Sequence, residues 1–109
     1  MIDAGALNRR VYVQKRSQDK DTVGQRDLTW QNFLRCWARI EQLQGRELEM
    51  AQAIRREINH RVVIRYRKDI TTSMRVVYQG RYLNVEAVLD PDTEHVLLHL
   101  MCSEGMNNG

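Results

Sequence analysis

The sequence is poor in the features that usually announce a chemistry. It has two cysteines, one proline, and aromatic residues at only 6% of 109 positions. Cys36 and Cys102 are far apart and have no metal-ligand neighbour at finger-like spacing, so no zinc motif is present. They are expected to be buried free thiols in a reducing compartment, and nothing in their spacing argues for a disulfide. No apolar run approaches the roughly 18 residues that span a bilayer, so no membrane partner is expected. The first residues, MIDAGALNRR, lack the apolar segment of a secretory signal, which predicts synthesis in the cytoplasm. There is no phosphate-binding glycine loop, no nucleophile elbow, no internal repeat and no low-complexity stretch.

The charge is also unspecialised. Seventeen basic and fourteen acidic residues leave a net +3, short of a dedicated DNA-binding arm. The aromatics are Tyr12, Trp30, Phe33, Trp37, Tyr66, Tyr78 and Tyr82. Along the chain they are not interleaved with basic residues as a stacking platform for single strands requires.

What the sequence does contain is alternation. Arg9 to Arg16 reads as a first strand with Val11 and Val13 on one face. Ser17 to Asp27 is a long polar loop. Trp30 and Phe33 are expected core anchors. Leu34 to Leu43 predicts a strand with Cys36, Ala38 and Ile40 facing one way, and Trp37 on the other face implies a protein contact or a bulge. Gly45 to Ala53 changes to helical spacing, with Glu47 and Glu49 near its start, where the helix dipole favours negative charge.

From Ile54 to Arg67 the alternation is longest. Ile54, Arg56, Ile58, His60, Val62, Ile64 and Tyr66 fall on one, mostly apolar, side, and Arg55, Glu57, Asn59, Arg61, Val63, Arg65 and Arg67 on the other, mostly charged, side. As a single strand it would reach roughly 45 Å, long for a chain whose radius of gyration should be about 13 Å. Arg75–Tyr78 and Arg81–Leu89 flank Gln79-Gly80 as a hairpin, with Leu83, Val85, Ala87 and Leu89 as its buried face. Asp90-Pro91-Asp92 is a turn. Val96, Leu98, Leu100 and Cys102 line a last strand, and the chain from Ser103 onward should fray.

The expected fold is therefore mainly β: a small six-stranded β-barrel or sandwich with one short α-helix, plugging one opening, and a long early loop. A single domain over residues 1–109 is expected, with a core from about 8 to 102 and flexible ends at 1–7 and 103–109.

Catalytic candidates are weak. His95 and His99 would sit about 13 Å apart on a solvated strand face, and His60 reads as a core histidine with one hydrogen bond. No enzyme, metal or cofactor is expected. The arginine face made by Arg55, Arg61, Arg65 and Arg67 could follow a phosphate backbone, which makes a small nucleic-acid-binding barrel the alternative function. Glu57 interrupts that face, and Glu41, Glu47 and Glu49 could pair with it, which favours a charged face satisfied within or between subunits.

In order, GALNRRVYVQKR, Leu28-Thr29-Trp30, CWARIEQLQGREL and INHRVVIRYRKDITTSMRVVYQGRYLNVEAVLDPD resemble the head–tail joining proteins of tailed bacteriophages, also called head-closure, head-completion or stopper proteins. The similarity covers roughly residues 5 to 104. It implies a non-enzymatic connector, made in the bacterial host cytoplasm and incorporated in the virion. Such a connector forms a ring, commonly dodecameric, on the portal or adaptor. It closes the channel for packaged double-stranded DNA and receives a tail terminator or tail-completion protein. The resemblance places the channel-gating loop at Asp19, Lys20, Asp21, Thr22, Val23 and Gly24. Arg46, Glu47, Glu49, Arg55, Glu57, Arg61, Arg65 and Arg67 are then the candidates for subunit or partner contacts.

Overall fold

The computed structural model describes residues 7–16 and 29–105. The elements are β1 (Arg9–Arg16), β2 (Trp30–Gln42), α1 (Gly45–Ile54), β3 (His60–Arg65), β4 (Arg75–Tyr78), β5 (Arg81–Leu89) and β6 (Leu97–Ser103), with a 3-10 turn at Pro91–Thr93. Every pairing is antiparallel, and the strands close into a barrel in the order β1-β2-β3-β6-β5-β4. Closure leaves each strand two neighbours, which is how a small all-β domain limits its exposed edges.

The period-two pattern fills the interior. Val11 and Val13, Ala38, Val62 and Ile64, Val76, Leu83 and Val85, and Leu98, Leu100 and Cys102 form one buried cluster. Ile70 and Met74, from the β3–β4 connection, join it and help to close the barrel. The expected plugging helix does something else. Ala51 of α1 packs with Leu43, Ile58 and Met101 in a separate cluster. Met101 alternates with Leu100 and Cys102, so α1 covers the outside of the wall. Leu7 likewise covers Val63 and Leu97, both on outward positions. As a result β6 is buried on both faces.

Two bulges reset the alternation. In β2, Val13 faces Leu34 while Gln14 faces Asn32, leaving Phe33 as the extra residue. In β5 the register slips between Val85 and Ala87. Beyond that slip Val88 turns inward opposite Leu100, whereas Ala87 joins the helix cluster and Leu89 is 40% exposed. The expected face through Leu83, Val85, Ala87 and Leu89 therefore holds only for its first two members.

The long strand from Ile54 to Arg67 does not form. Ile54 ends the helix, Arg55 N–H bonds Ala51 O at 3.2 Å, and Ile58 N–H bonds Arg55 O at 3.2 Å, so this stretch is a helix end and a turn. Ile54 is exposed at the helix end while Ile58 is buried in the turn beyond it, so the even spacing that joined them to the strand is a coincidence of two different local structures. What remains, His60–Arg65, spans about 20 Å and fits within the barrel wall.

Two residues assigned to flexible ends are held. Leu7 is buried, and Glu104 is tied at its backbone N–H and carbonyl to the Asn59 side chain, both at 2.9 Å.

The β4–β5 hairpin turns on Gln79 (φ 49) and Gly80 (φ 79), the paired positive angles of a type I′ turn. Space is open around Gly80, so only the backbone angle resists a side chain. Gly80→Ala is expected to cost about 1 kcal/mol, read as a lower midpoint in urea denaturation with an unchanged slope.

Candidate interface surfaces

The register of β1 on β2 sets arginines and aromatics opposite each other on the outer face. Arg10 pairs with Trp37, Tyr12 with Arg35, Gln14 with Asn32, and Arg16 with Trp30. The Arg10 guanidinium lies 4.8 Å from the Trp37 ring centre, Arg35 lies 5.7 Å from Tyr12, and Arg16 lies 5.0 Å from Trp30. Gln14 donates to Asn32 Oδ1 at 2.9 Å in the middle of the ladder. No acid occurs in Arg9–Arg16 or in β2 before Glu41. Trp37 stays 51% exposed, and Tyr12 is also exposed. Aromatic and basic residues thus do interleave, across strands, where the linear sequence does not show it.

Next to the ladder, Arg75 is buried between two rings, 4.1 Å from the Trp30 centre and 4.2 Å from that of Tyr82. Its Nε donates to Gln14 Oε1 at 2.9 Å, while Nη1 is buried without a hydrogen-bond partner among the described residues. Burial lowers the pKa of this guanidinium from its usual value.

A second feature comes from the unequal lengths of β2 and β3. Their ladder covers Arg39–Gln42 and stops at Arg39↔Val63. Below that point β2 and the chain at Ile64–Arg67 diverge and leave a slit of about 420 Å³. Leu34, Cys36 and Ile64 belong to or pack on the interior and form its floor, Trp37 and Tyr66 form its walls, and Arg10, Arg35, Arg65 and Arg67 its rim. Burial pushes the Cys36 thiol pKa up, while the charges of Arg67 and Arg10 act to lower it.

The contact candidates, expected on the short helix and on the strand after it, take several surroundings. Arg61 is clamped by Glu41 at 2.7 Å and Glu47 at 2.8 Å, and Glu41 also holds Arg39 at 3.0 Å. Arg46 and Glu49 are exposed on α1, Arg55 is its C-cap, and Glu57 lies in the following turn. Arg65 and Arg67 reach the slit, where Arg67 makes a two-point contact with Asp69 at 3.0 and 2.8 Å. Arg61 and Arg65 still share β3, but Arg55 and Arg67 lie outside it, because the first half of the expected strand is helix end and turn. Asp19, Lys20, Asp21, Thr22, Val23 and Gly24 lie outside the described residues.

The histidines do not converge. His95 sits in a turn at φ 57, its Nδ1 2.5 Å from Asp90 Oδ2, not on the strand expected to carry it. His99 is half-buried on β6, and its Nε2 has no partner among the described residues. His60 is buried, with Nδ1 2.8 Å from Asn59 Oδ1 and Nε2 3.5 Å from Glu104. Among the described residues no group of three or more His, Cys, Asp or Glu could hold a metal, and no helix is long and apolar enough to cross a membrane.

Burial holds His60 and His99 below the usual 6.5. The unfolded chain therefore takes up these protons first as pH falls. Their stabilising effect is full above 6.5 and declines toward the folded values. The bond from Arg81 holds the Glu104 carboxyl below 4.5, so its contribution is lost at lower pH still, as pH drops through that depressed value. Urea midpoints are expected to fall steadily below about pH 6.5, and His99→Gln should flatten the upper part of that slope.

The sequence matches the phage head completion protein family over residues 2–105. A search of curated proteins gives no match. Among solved structures, the solution structure of a Shigella flexneri 2a protein is similar at TM-score 0.78 and 28% identity, covering 98% of this chain and 100% of that one. A chain from the virion of a native gene transfer agent particle shares the fold at TM-score 0.61 and 18% identity, covering 93% and 97% respectively.

Proposed function

Because the chain belongs to the phage head completion protein family, we propose that it is a non-enzymatic subunit of the junction between phage head and tail. In this reading copies form a ring, dodecameric on the virion, below the portal or adaptor. The ring closes the DNA channel after packaging and offers the surface to which the tail terminator or tail-completion protein attaches. The observation that carries the reading is the family match over nearly the whole chain. The surfaces agree with it: exposed Trp, Tyr and Arg are the residues that most often anchor protein interfaces. Exposed Met50 and Ile54 on α1 add an apolar strip beside Arg46 and Glu49 for a neighbouring subunit. A head-to-tail ring needs two such different faces on one protomer. The gating role assigned to Asp19–Gly24 rests on the sequence resemblance.

Capsids assembled without this chain test the proposal. Electron microscopy is expected to show filled heads losing DNA and failing to take tails. Tailed, DNA-retaining particles would sink it.

One observation keeps the nucleic-acid reading alive, namely the acid-free ladder on β1 and β2, although no one strand carries Arg55, Arg61, Arg65 and Arg67 together. That reading requires the isolated chain to bind duplex DNA with an affinity that falls steeply as salt rises. The connector reading requires little free DNA binding.

A further inference from the structure

The slit between β2 and Ile64–Arg67 is an unfinished piece of sheet. Among the described residues β2 is paired from Trp30 to Ala38 on its β1 side alone, because its ladder with β3 begins at Arg39. An unpaired strand edge presents a row of backbone donors and acceptors, and another extended backbone satisfies them best. Here the edge does not face open solvent. It faces a slit with an apolar floor of Leu34, Cys36 and Ile64 and an arginine rim.

We infer that this slit receives an extended, acidic strand from a partner protein, added edge-on to β2. Three properties of the slit select that occupant. The stretch Leu34–Trp37 is about 13 Å long, matching four residues of extended chain. Alternate side chains of such a strand would point down to the floor and out to the rim, so apolar residues alternating with acids fit both. The rim charge comes from Arg10, Arg35, Arg65 and Arg67, with Asp69 bound to Arg67 as the acid beside it. Arg65 is exposed and has no ion-pair partner among the described residues. Arg10 and Arg35 are held in place by Trp37 and Tyr12, so their remaining N–H groups are oriented in advance for carboxylates. The described strands are all committed to the barrel, and the source we assign to the added strand is a partner protein. Duplex DNA could meet the rim, but it has no use for the apolar floor or for the backbone edge.

The test uses the full chain and short capped peptides in which Asp or Glu alternates with Val, Ile, Leu or Thr. Amide NMR signals of Leu34–Trp37 and Ile64–Arg67 and the Trp37 indole should shift on titration. N-methylation of alternate peptide nitrogens should weaken binding at least about tenfold, which is about 1.4 kcal/mol. Arg65→Ser, on an exposed side chain, should weaken it several-fold while leaving the melting temperature unchanged. The inference is overturned if no peptide shifts these signals, if N-methylation makes no difference, or if a duplex DNA oligonucleotide shifts the same signals more strongly. Since the assay uses the isolated chain, its failure leaves the head–tail reading to its own test on capsids.

Discussion

Leu100→Ala is expected to lower the unfolding free energy by about 3–4 kcal/mol, a large part of the 5–15 kcal/mol typical of a domain. Leu100 is fully buried on β6, opposite Val62 of β3 and Val88 of β5, and its neighbours belong to strands closed around it. A closed barrel cannot collapse onto a lost side chain without shifting several ladders, so most of the cavity should persist. Met101, the next residue, gives the contrast. It points outward into the α1 cluster, where the helix can move. Met101→Ala should cost about 2 kcal/mol, near the lower end for such truncations, and should act mainly by loosening α1. Denaturant titration measures both totals, and amide exchange should separate them. Leu100→Ala should raise exchange throughout the barrel, whereas Met101→Ala should raise it first in Gly45–Ile54. Equal and uniform effects would contradict the assignment of the two residues to opposite sides of the wall.

The same pair shows what the sequence could convey. Leu98, Leu100 and Cys102 are legible as an inward face because period two holds along β6, whereas Val96, expected on the same face, is exposed just before the strand begins. Met101 and Leu97 are not legible, since their burial depends on α1 and on Leu7 arriving from distant parts of the chain. Bulges caused the next errors. One extra residue near Glu86 reverses every later side chain in β5, and nothing in the local composition marks it. The Ile54–Arg67 stretch differs for another reason: its even spacing runs through a helix end and a turn, which the hydrogen bonds at Arg55 and Ile58 define and which leave Ile54 exposed and Ile58 buried. The candidate surfaces were the least legible. Arg10 with Trp37 and Arg35 with Tyr12 are brought together by register, and the slit exists because β2 outruns β3. Neither is a property of any single segment.

Arg75→Ala is expected to cost about 2–3 kcal/mol, since a desolvated cation–π contact is worth roughly 2 kcal/mol and truncation also removes the packed stem. Arg75 lies on β4 between Gln14 of β1 and Asn84 of β5, so its side chain spans three strands on the outer wall. Its charge faces two rings and one amide oxygen, with no carboxylate among its described partners. Burial of the guanidinium opposes the charge and pushes its pKa down. The ring contacts must offset that penalty for the arrangement to persist. Two further variants separate these opposing effects. Arg75→Met keeps most of the stem and removes the buried cation, so it should cost less than Arg75→Ala, about 1 kcal/mol or nothing. Arg75→Lys keeps the charge but loses the planar stack on Trp30 and Tyr82, and its ammonium is harder to desolvate, so it should be worse than methionine. Urea denaturation of the three variants gives the order directly. If lysine matched the parent protein while methionine fell to the level of alanine, charge alone would matter, and the stacked geometry between the two rings would contribute nothing.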